Sequence, residues 1–319
     1  MSQSTVFNGD RNKIPNFLKK KLSLTLQNRI IPPERFWDLL SFEGNFSVDL
    51  GTEQFQVGHT GEWLENSLFW KGISGYEPLS FELWKNACRF SQTILDIGAN
   101  MGLYSLIAKA ANPSSQVYAF EPLPSFNKAL KENIRLNHYD IQVFDQAVSD
   151  FIGTAEFYVP QRGKGNLYSS SLSLEHYKNH QKSTPIVHQV QVTTLDSFVQ
   201  EQGIQSVDLV KIDAEGQDAN VLKGFLNSVQ QFQPDFIVEV QSDEIGQAIQ
   251  TMLSPERYLY FNIDEVTGLT QTDTLQRNYW LNFWICKVET AQKLNLIWED
   301  WWLGDLFKFY LKLRNSLED

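Results

Sequence analysis

Two short segments hold residue types suited to chemistry. The first is Asp96-Ile97-Gly98-Ala99-Asn100-Met101-Gly102, directly after the apolar run TIL. Glycines at 98 and 102 let the backbone turn tightly and approach a ligand closely, and a helix starting there would present unpaired N–H groups. A dinucleotide loop would read G-x-G-x-x-G, but position 100 is Asn and position 103 is Leu. The second segment is Lys211-Ile212-Asp213-Ala214-Glu215-Gly216. It sets two carboxylates two residues apart at the end of an apolar run, on one face if the strand continues. Glu239 closes the next apolar run. Three carboxylates would therefore converge on one edge.

The signs of these charges select the ligand. A carboxylate at the mouth of the glycine loop repels phosphate and suits a cationic amine. S-adenosylmethionine (AdoMet) carries such an amine plus a sulfonium and has no phosphate. Glu121 ends the second strand, 19 residues after Gly102, where an acid accepts both hydroxyls of a ribose. Methyl transfer to oxygen is an in-line displacement, so alignment matters. A sugar-type hydroxyl also needs a positioned base, or a metal that lowers its pKa. Asp213, Glu215 and Glu239 are the candidates for either role: one as base, or two or more as oxygen ligands of a divalent cation. His176 and His180, at i and i+4 in the polar stretch GKGNLYSSSLSLEHYKNHQKS, are an alternative base or part of a substrate lid, without the H-E-x-x-H order of a zinc protease.

Stepping along the chain, these residues fall at the ends of predicted strands. TILDIG, QVYAFEP, IQVFDQAV, VDLVKID, DFIVEV, YLYFNID and NFWICKV read as seven strands, mostly continuous apolar runs buried on both faces. MGLYSLIAKAAN, LPSFNKALKENIRLN and QDANVLKGFLNSVQQF have the spacing of amphipathic helices between them. This is an α/β fold with a mixed seven-stranded sheet and helices on both faces, its ligands at the carboxyl ends of the strands. The loop EVTGLTQTDTLQRNYW predicts a closing hairpin at one edge.

The runs ILDIGANMGLYSLIA, VYAFEPLPSFNKALKENIRLN, AVSDFIGTAEFYV, TTLDSF and VDLVKIDAEGQDANVLKG closely resemble the FkbM family of AdoMet-dependent methyltransferases. The resemblance covers residues 94 to about 240, and KIDAEG followed by VLKG is its most specific part. It implies the class I (Rossmann-like) methyltransferase fold and O-methylation of sugars, polyketides and related secondary metabolites. It further implies that Asp96, Gly98, Ala99, Asn100 and Gly102 line the methionine and ribose portion and that Glu121 holds the ribose. Asp145, Gln146 and Ala147 would flank the adenine, with the choice between Asp145 and Gln146 open. N-methylation, a catalytically silent AdoMet-binding subunit and an NAD-dependent oxidoreductase are the alternatives. The acidic KIDAEG, the intact loop and carboxylates, and the missing third glycine argue against them in turn.

Composition frames this reading. The 319 residues carry a net charge of −11, which argues against a nucleic-acid binder relying on a broad basic surface. Residues 1–40 hold seven basic and three acidic side chains, leaving −15 for the remainder. Two cysteines 198 positions apart match no zinc or redox spacing. No apolar run reaches the ~18 residues of a membrane span, and the N-terminus reads as no secretory signal, so a cytoplasmic protein is expected. Residues 1–92 form an N-terminal cap or substrate-recognition region; the resemblance implies that its end covers the cofactor entrance, with Tyr76 or Glu77 either touching the methionine end or packing beneath the sheet. Residues 93–289 form the methyltransferase domain. Residues 290–319 form an aromatic helical tail (Trp298, Trp301, Trp302) suited to core docking or a homodimer. The cationic stretch Phe17–Leu26 is a packing segment, or a contact for a membrane surface or carrier protein.

Overall fold

The computed structural model describes residues 16–27, 29–40, 42–59, 62–161 and 170–297. The aromatic tail from Trp298 lies outside the described residues, and with it the homodimer contact expected there. Thirteen strands are present among them: β1 (Gly44–Asp49), β2 (Gln54–His59), β3 (Thr93–Ile97), β4 (Gln116–Phe120), β5 (Ile141–Phe144), β6 (Gln146–Val148), β7 (Gly153–Val159), β8 (Ile186–Thr193), β9 (Leu209–Ile212), β10 (Asp235–Glu239), β11 (Leu259–Asp264), β12 (Gly268–Thr272) and β13 (Asn282–Cys286). The main sheet runs in the order β12-β11-β13-β10-β9-β3-β4-β5. Its body, β5-β4-β3-β9-β10, is parallel. The chain leaves β3 toward β4 and β5, then returns to lay β9 on the opposite side of β3. That reversal opens a crevice at the carboxyl end of β3.

All five residues of β3 and all four of β9 are buried, as a strand covered on both faces requires. Alternate side chains feed two cores. Ile94 packs with Leu106, Val117 and Leu209 on one face. Leu95 and Ile97 pack with Phe198, Val210 and Leu222 on the other. The helices Pro78–Cys88, Leu103–Ala111 and Pro124–Asn137 cover the first face, and Leu195–Glu201, Leu226–Phe232 and Asp243–Met252 the second.

The sheet has eight strands, one more than the seven expected. β12 forms within EVTGLTQTDTLQRNYW and pairs antiparallel with β11, while β13 inserts between β11 and β10. The run IQVFDQAV is two strands and not one. It breaks at Asp145, and Gln146–Val148 leaves the main sheet to pair with β8 in a three-stranded sheet, β6-β8-β7.

The N-terminal residues are more regular than their sequence suggests. The β1–β2 hairpin docks on the helix Pro124–Asn137 through two asparagines. The backbone N–H of Gly58 donates to Asn133 Oδ1 at 2.8 Å, and that of Gln56 donates to Asn137 Oδ1 at 2.6 Å. Trp37, Phe46, Phe69 and Trp84 belong to the same core cluster as Ile94 and Leu106, so the cap is continuous with the sheet's first face. In the helix Asn16–Leu26 Ser23 is buried while Phe17, Leu18, Leu22 and Leu24 are exposed. Among the described residues no helix is long and apolar enough to cross a membrane.

Candidate active site

The glycine loop is built by backbone that only glycine tolerates. Gly98 has φ +73°, and a Cβ there would lie 1.8 Å from the Asp213 carbonyl oxygen. Gly102 has φ +94°, and a Cβ would lie 2.3 Å from Leu130 Cδ1. The N–H groups of Gly98 and Ala99 both donate to the Phe120 carbonyl, at 3.0 and 2.9 Å, which ties the loop to the end of β4. Asn100 adopts a left-handed conformation, φ 55°, which Asn tolerates better than most residues. Its N–H donates to Glu121 Oε2 at 2.8 Å.

Glu121 is 5% exposed, and its other oxygen accepts the Leu123 N–H at 2.7 Å. Burial pushes its carboxyl up to about 7, against the two backbone donors that lower it. Each oxygen accepts one donor here and has a second lone pair to offer. Gly98, Asn100 and Glu121 line a cleft with Gln146, Ala147 and Asp213. Of the two residues at the break after β5, Gln146 lines the cleft, whereas Asp145 is exposed and does not. Asp96, Ala99 and Gly102 do not line it either. Asp96 is fully buried behind the loop, where Oδ2 accepts from Ser105 Oγ at 2.6 Å. Asp96 Oδ1 has no hydrogen-bond partner among the described residues, a buried acceptor without its donor.

Lys211 organises the charges at the strand ends. Its side chain is buried in β9, donates to Asp213 Oδ2 at 2.9 Å and lies 4.7 Å above the centre of the Tyr104 ring. Burial works to lower this ammonium, yet Asp213, Asp96 and Glu77 together hold it above its ordinary value. Tyr104 in turn donates to Glu77 Oε2 at 2.7 Å. Glu77 sits in the left-handed region, φ 41° and ψ 51°, a conformation that persists only where surroundings enforce it. Burial raises its carboxyl to about 7.

Asp213 and Glu215 face the cleft, whereas Glu239 lines a second cavity. Gln241 joins the two sides. Its Nε2 donates to Glu239 Oε2 at 2.5 Å and to Glu215 Oε2 at 3.3 Å. His176 Nε2 also lies 3.3 Å from Glu215 Oε2, and His176 stacks on His180 with centroids 4.2 Å apart. Burial, then the Asp213 charge, pushes Glu215 up to about 8. Glu239 is raised well above the usual carboxylate range by burial and by Asp213, Glu215 and Asp218. Asp218 is fully buried, caps the Ala214 N–H at 3.1 Å and is raised to about 8, again by burial first. Among the described residues no group of three or more His, Cys, Asp or Glu is disposed to hold a metal ion.

The family described as the methyltransferase FkbM domain matches residues 96–261 of this chain. The chain belongs to that family. The FkbM-domain chain is 31% identical over 139 residues to the 2-O-methyltransferase NoeI of Sinorhizobium fredii (strain NBRC 101917 / NGR234), covering 41% of this chain and 56% of that protein. It is 28% identical over 156 residues to the 31-O-demethyl-FK506 methyltransferase FkbM of Streptomyces tacrolimicus, covering 43% and 60%. The chain thus spans little more than half the length of these curated relatives. A crystal structure of a methyltransferase FkbM from Methylobacillus flagellatus KT aligns over 84% of this chain and 58% of its own at 14% identity, with a TM-score of 0.42.

Within this FkbM-family chain, Gly98 and Asn100 of the loop, Glu121, Gln146 and Ala147 come together at the first cleft, and Asp213 and Glu215 line it too. Lys211 and Gln241 play no part in the sequence reading, although Lys211 had a signal: a cation inside an otherwise apolar strand run must find buried partners. Gln241 had none, because its role depends on where β10 lies beside β9.

Proposed function

We propose that this chain is an AdoMet-dependent O-methyltransferase acting on a hydroxyl of a sugar-containing or secondary-metabolite acceptor. The observation that carries the reading is the Gln241 side chain, which bridges Glu215 on the wall of one cavity and Glu239 on the wall of another. A transferase that takes a group from one ligand to another needs two sites meeting at one point.

The residues of the first cleft fit AdoMet. Glu121 offers two lone pairs to the ribose hydroxyls, and Gln146 and Ala147 flank the adenine. Bound there, AdoMet would supply an electrophilic methyl on a sulfonium. Asp213, fixed by Lys211, orients the acceptor hydroxyl. Glu239, held by Gln241 Nε2, takes the hydroxyl proton in its ionised form as the oxygen gains the methyl. Glu215 and His176 hold Gln241 and the KIDAEG turn in register. NoeI and FkbM, both O-methyltransferases by name, support the choice of oxygen.

Calorimetric titration with S-adenosylhomocysteine and, separately, NAD tests the reading. Binding of S-adenosylhomocysteine alone is expected; binding of NAD alone would overturn it.

A further inference from the structure

The second cavity has a volume of about 460 Å³, within the range of small-molecule sites. It lies between Trp63–Pro78 of the N-terminal region and Glu265–Asn282 around β12 and β13. Two aromatic pairs flank it. Trp63 and Tyr76 meet edge to face with centroids 6.3 Å apart, and Tyr279 and Trp280 do so at 5.2 Å. Trp63 is 53% exposed and Tyr279 86%, large apolar surfaces held in water at the rim. Three carboxylates, Glu77, Glu239 and Glu265, complete the lining, and no Lys, Arg or His is among the described residues that line it. The buried cation Lys211, whose charge reaches Glu77, does not line the cavity and is ion-paired with Asp213.

Aromatic faces around a carboxylate-lined cavity are the surroundings that bind an organic ammonium, through ring quadrupoles and charge. A neutral ring would use the aromatic faces and leave the carboxylates without countercharge. An anion would be repelled by all three. We propose that this cavity receives the acceptor, and that the acceptor is a hydroxyl-bearing organic cation whose ammonium lies among Trp63, Tyr76, Tyr279 and Trp280 while its hydroxyl reaches Glu239. The assignment rests on the methyltransferase reading above. Burial first of all raises the carboxyls of Glu77, Glu239 and Glu265, and an ammonium beside them would favour their charged forms. An ammonium has no lone pair, so the methyl goes to oxygen.

Choline and 3,3-dimethylbutan-1-ol have the same shape and the same hydroxyl and differ only in charge. Their binding to the full chain loaded with S-adenosylhomocysteine is followed by tryptophan fluorescence and ligand-observed NMR. Choline is expected to bind at least tenfold more tightly than the alcohol. That preference should shrink at least fivefold in Tyr279→Ala, an exposed position where folding is not at stake, and in Glu77→Gln. Equal binding of the two probes, binding of neither, or a preference unchanged in both variants overturns the assignment. S-adenosylhomocysteine affinity is measured on the same samples. If it binds and the probes do not discriminate, only the acceptor class fails. If it does not bind, the function proposed above fails and takes this inference with it.

Discussion

Lys211 and Asp213, two residues apart at the end of β9, are ion-paired at 2.9 Å with the ammonium buried and the carboxylate at the edge of the first cleft. The pair converts a buried strand into the floor of a site. Asp96 lies on β3, at the register position directly beside Lys211 on β9. One cation therefore serves carboxylates from two strands and, through Glu77, the N-terminal region.

Removing that cation leaves the buried Asp96, Glu77 and the part-buried Asp213 without a countercharge. Lys211→Met is expected to destabilise the fold by about 3–5 kcal/mol, the usual cost of breaking a buried pair by deleting one member. Urea denaturation followed by circular dichroism measures this; a loss below about 1 kcal/mol would show that the ammonium is dispensable.

Glu239 and Asp213 are assigned to the acceptor's proton and orientation, and not to the cofactor. Glu239→Gln should lower kcat by about 100- to 10,000-fold, the range for loss of a general base. Asp213→Asn should lower it at least tenfold. S-adenosylhomocysteine affinity should stay within about threefold in both. Unchanged turnover in either variant removes that residue from the chemistry, and a large loss of affinity would move it to the cofactor's side.

Stability should fall as pH rises through neutrality. Glu77 and Glu121 are raised to about 7 and Glu215 and Asp218 to about 8 by burial, whereas unfolded carboxyls titrate near 4. Between those limits the folded chain keeps protons that the unfolded chain has lost, so each pH step upward favours unfolding. The contribution is full below about pH 4 and is lost through pH 7–8. Calorimetric melting of the ligand-free chain should give a lower Tm at pH 8.5 than at pH 6. A Tm that is flat or rises over that interval would contradict the burial of these carboxylates.

Gly98→Ala tests the loop. The new Cβ would meet the Asp213 carbonyl, which is backbone and cannot rotate away, at a φ that alanine disfavours. A loss of at least ~2 kcal/mol is expected, together with loss of S-adenosylhomocysteine binding. An alanine variant with normal Tm and affinity would show that the loop has room to spare.

Much of the first cleft was legible because its signals are local. An apolar run ending in Asp-x-Gly, a second ending in Glu121 and a third ending in Lys-Ile-Asp are each read within a few residues. A parallel sheet necessarily brings such ends to one edge. The positive φ of Gly98 and Gly102 is local for the same reason. Asp145 and Gln146 could not be separated in that way. The chain breaks between them because Gln146 pairs with Gln191, 45 residues later, and a one-residue shift turns a side chain to the opposite face.

The sequence by itself therefore determined the α/β class, the glycine loop, the acid Glu121 at the end of β4 and the acidic end of β9. Tertiary structure alone decided that Asp96 is buried behind the loop, that Glu77 faces Lys211 across more than a hundred residues of chain, and that β13 enters the sheet beside β10. It also decided the second cavity, whose walls come from segments nearly two hundred residues apart. The physical reason is one of range. Backbone preference and hydrophobic period act over a few residues, while the charge balance and the walls of a cavity depend on which distant surfaces pack together.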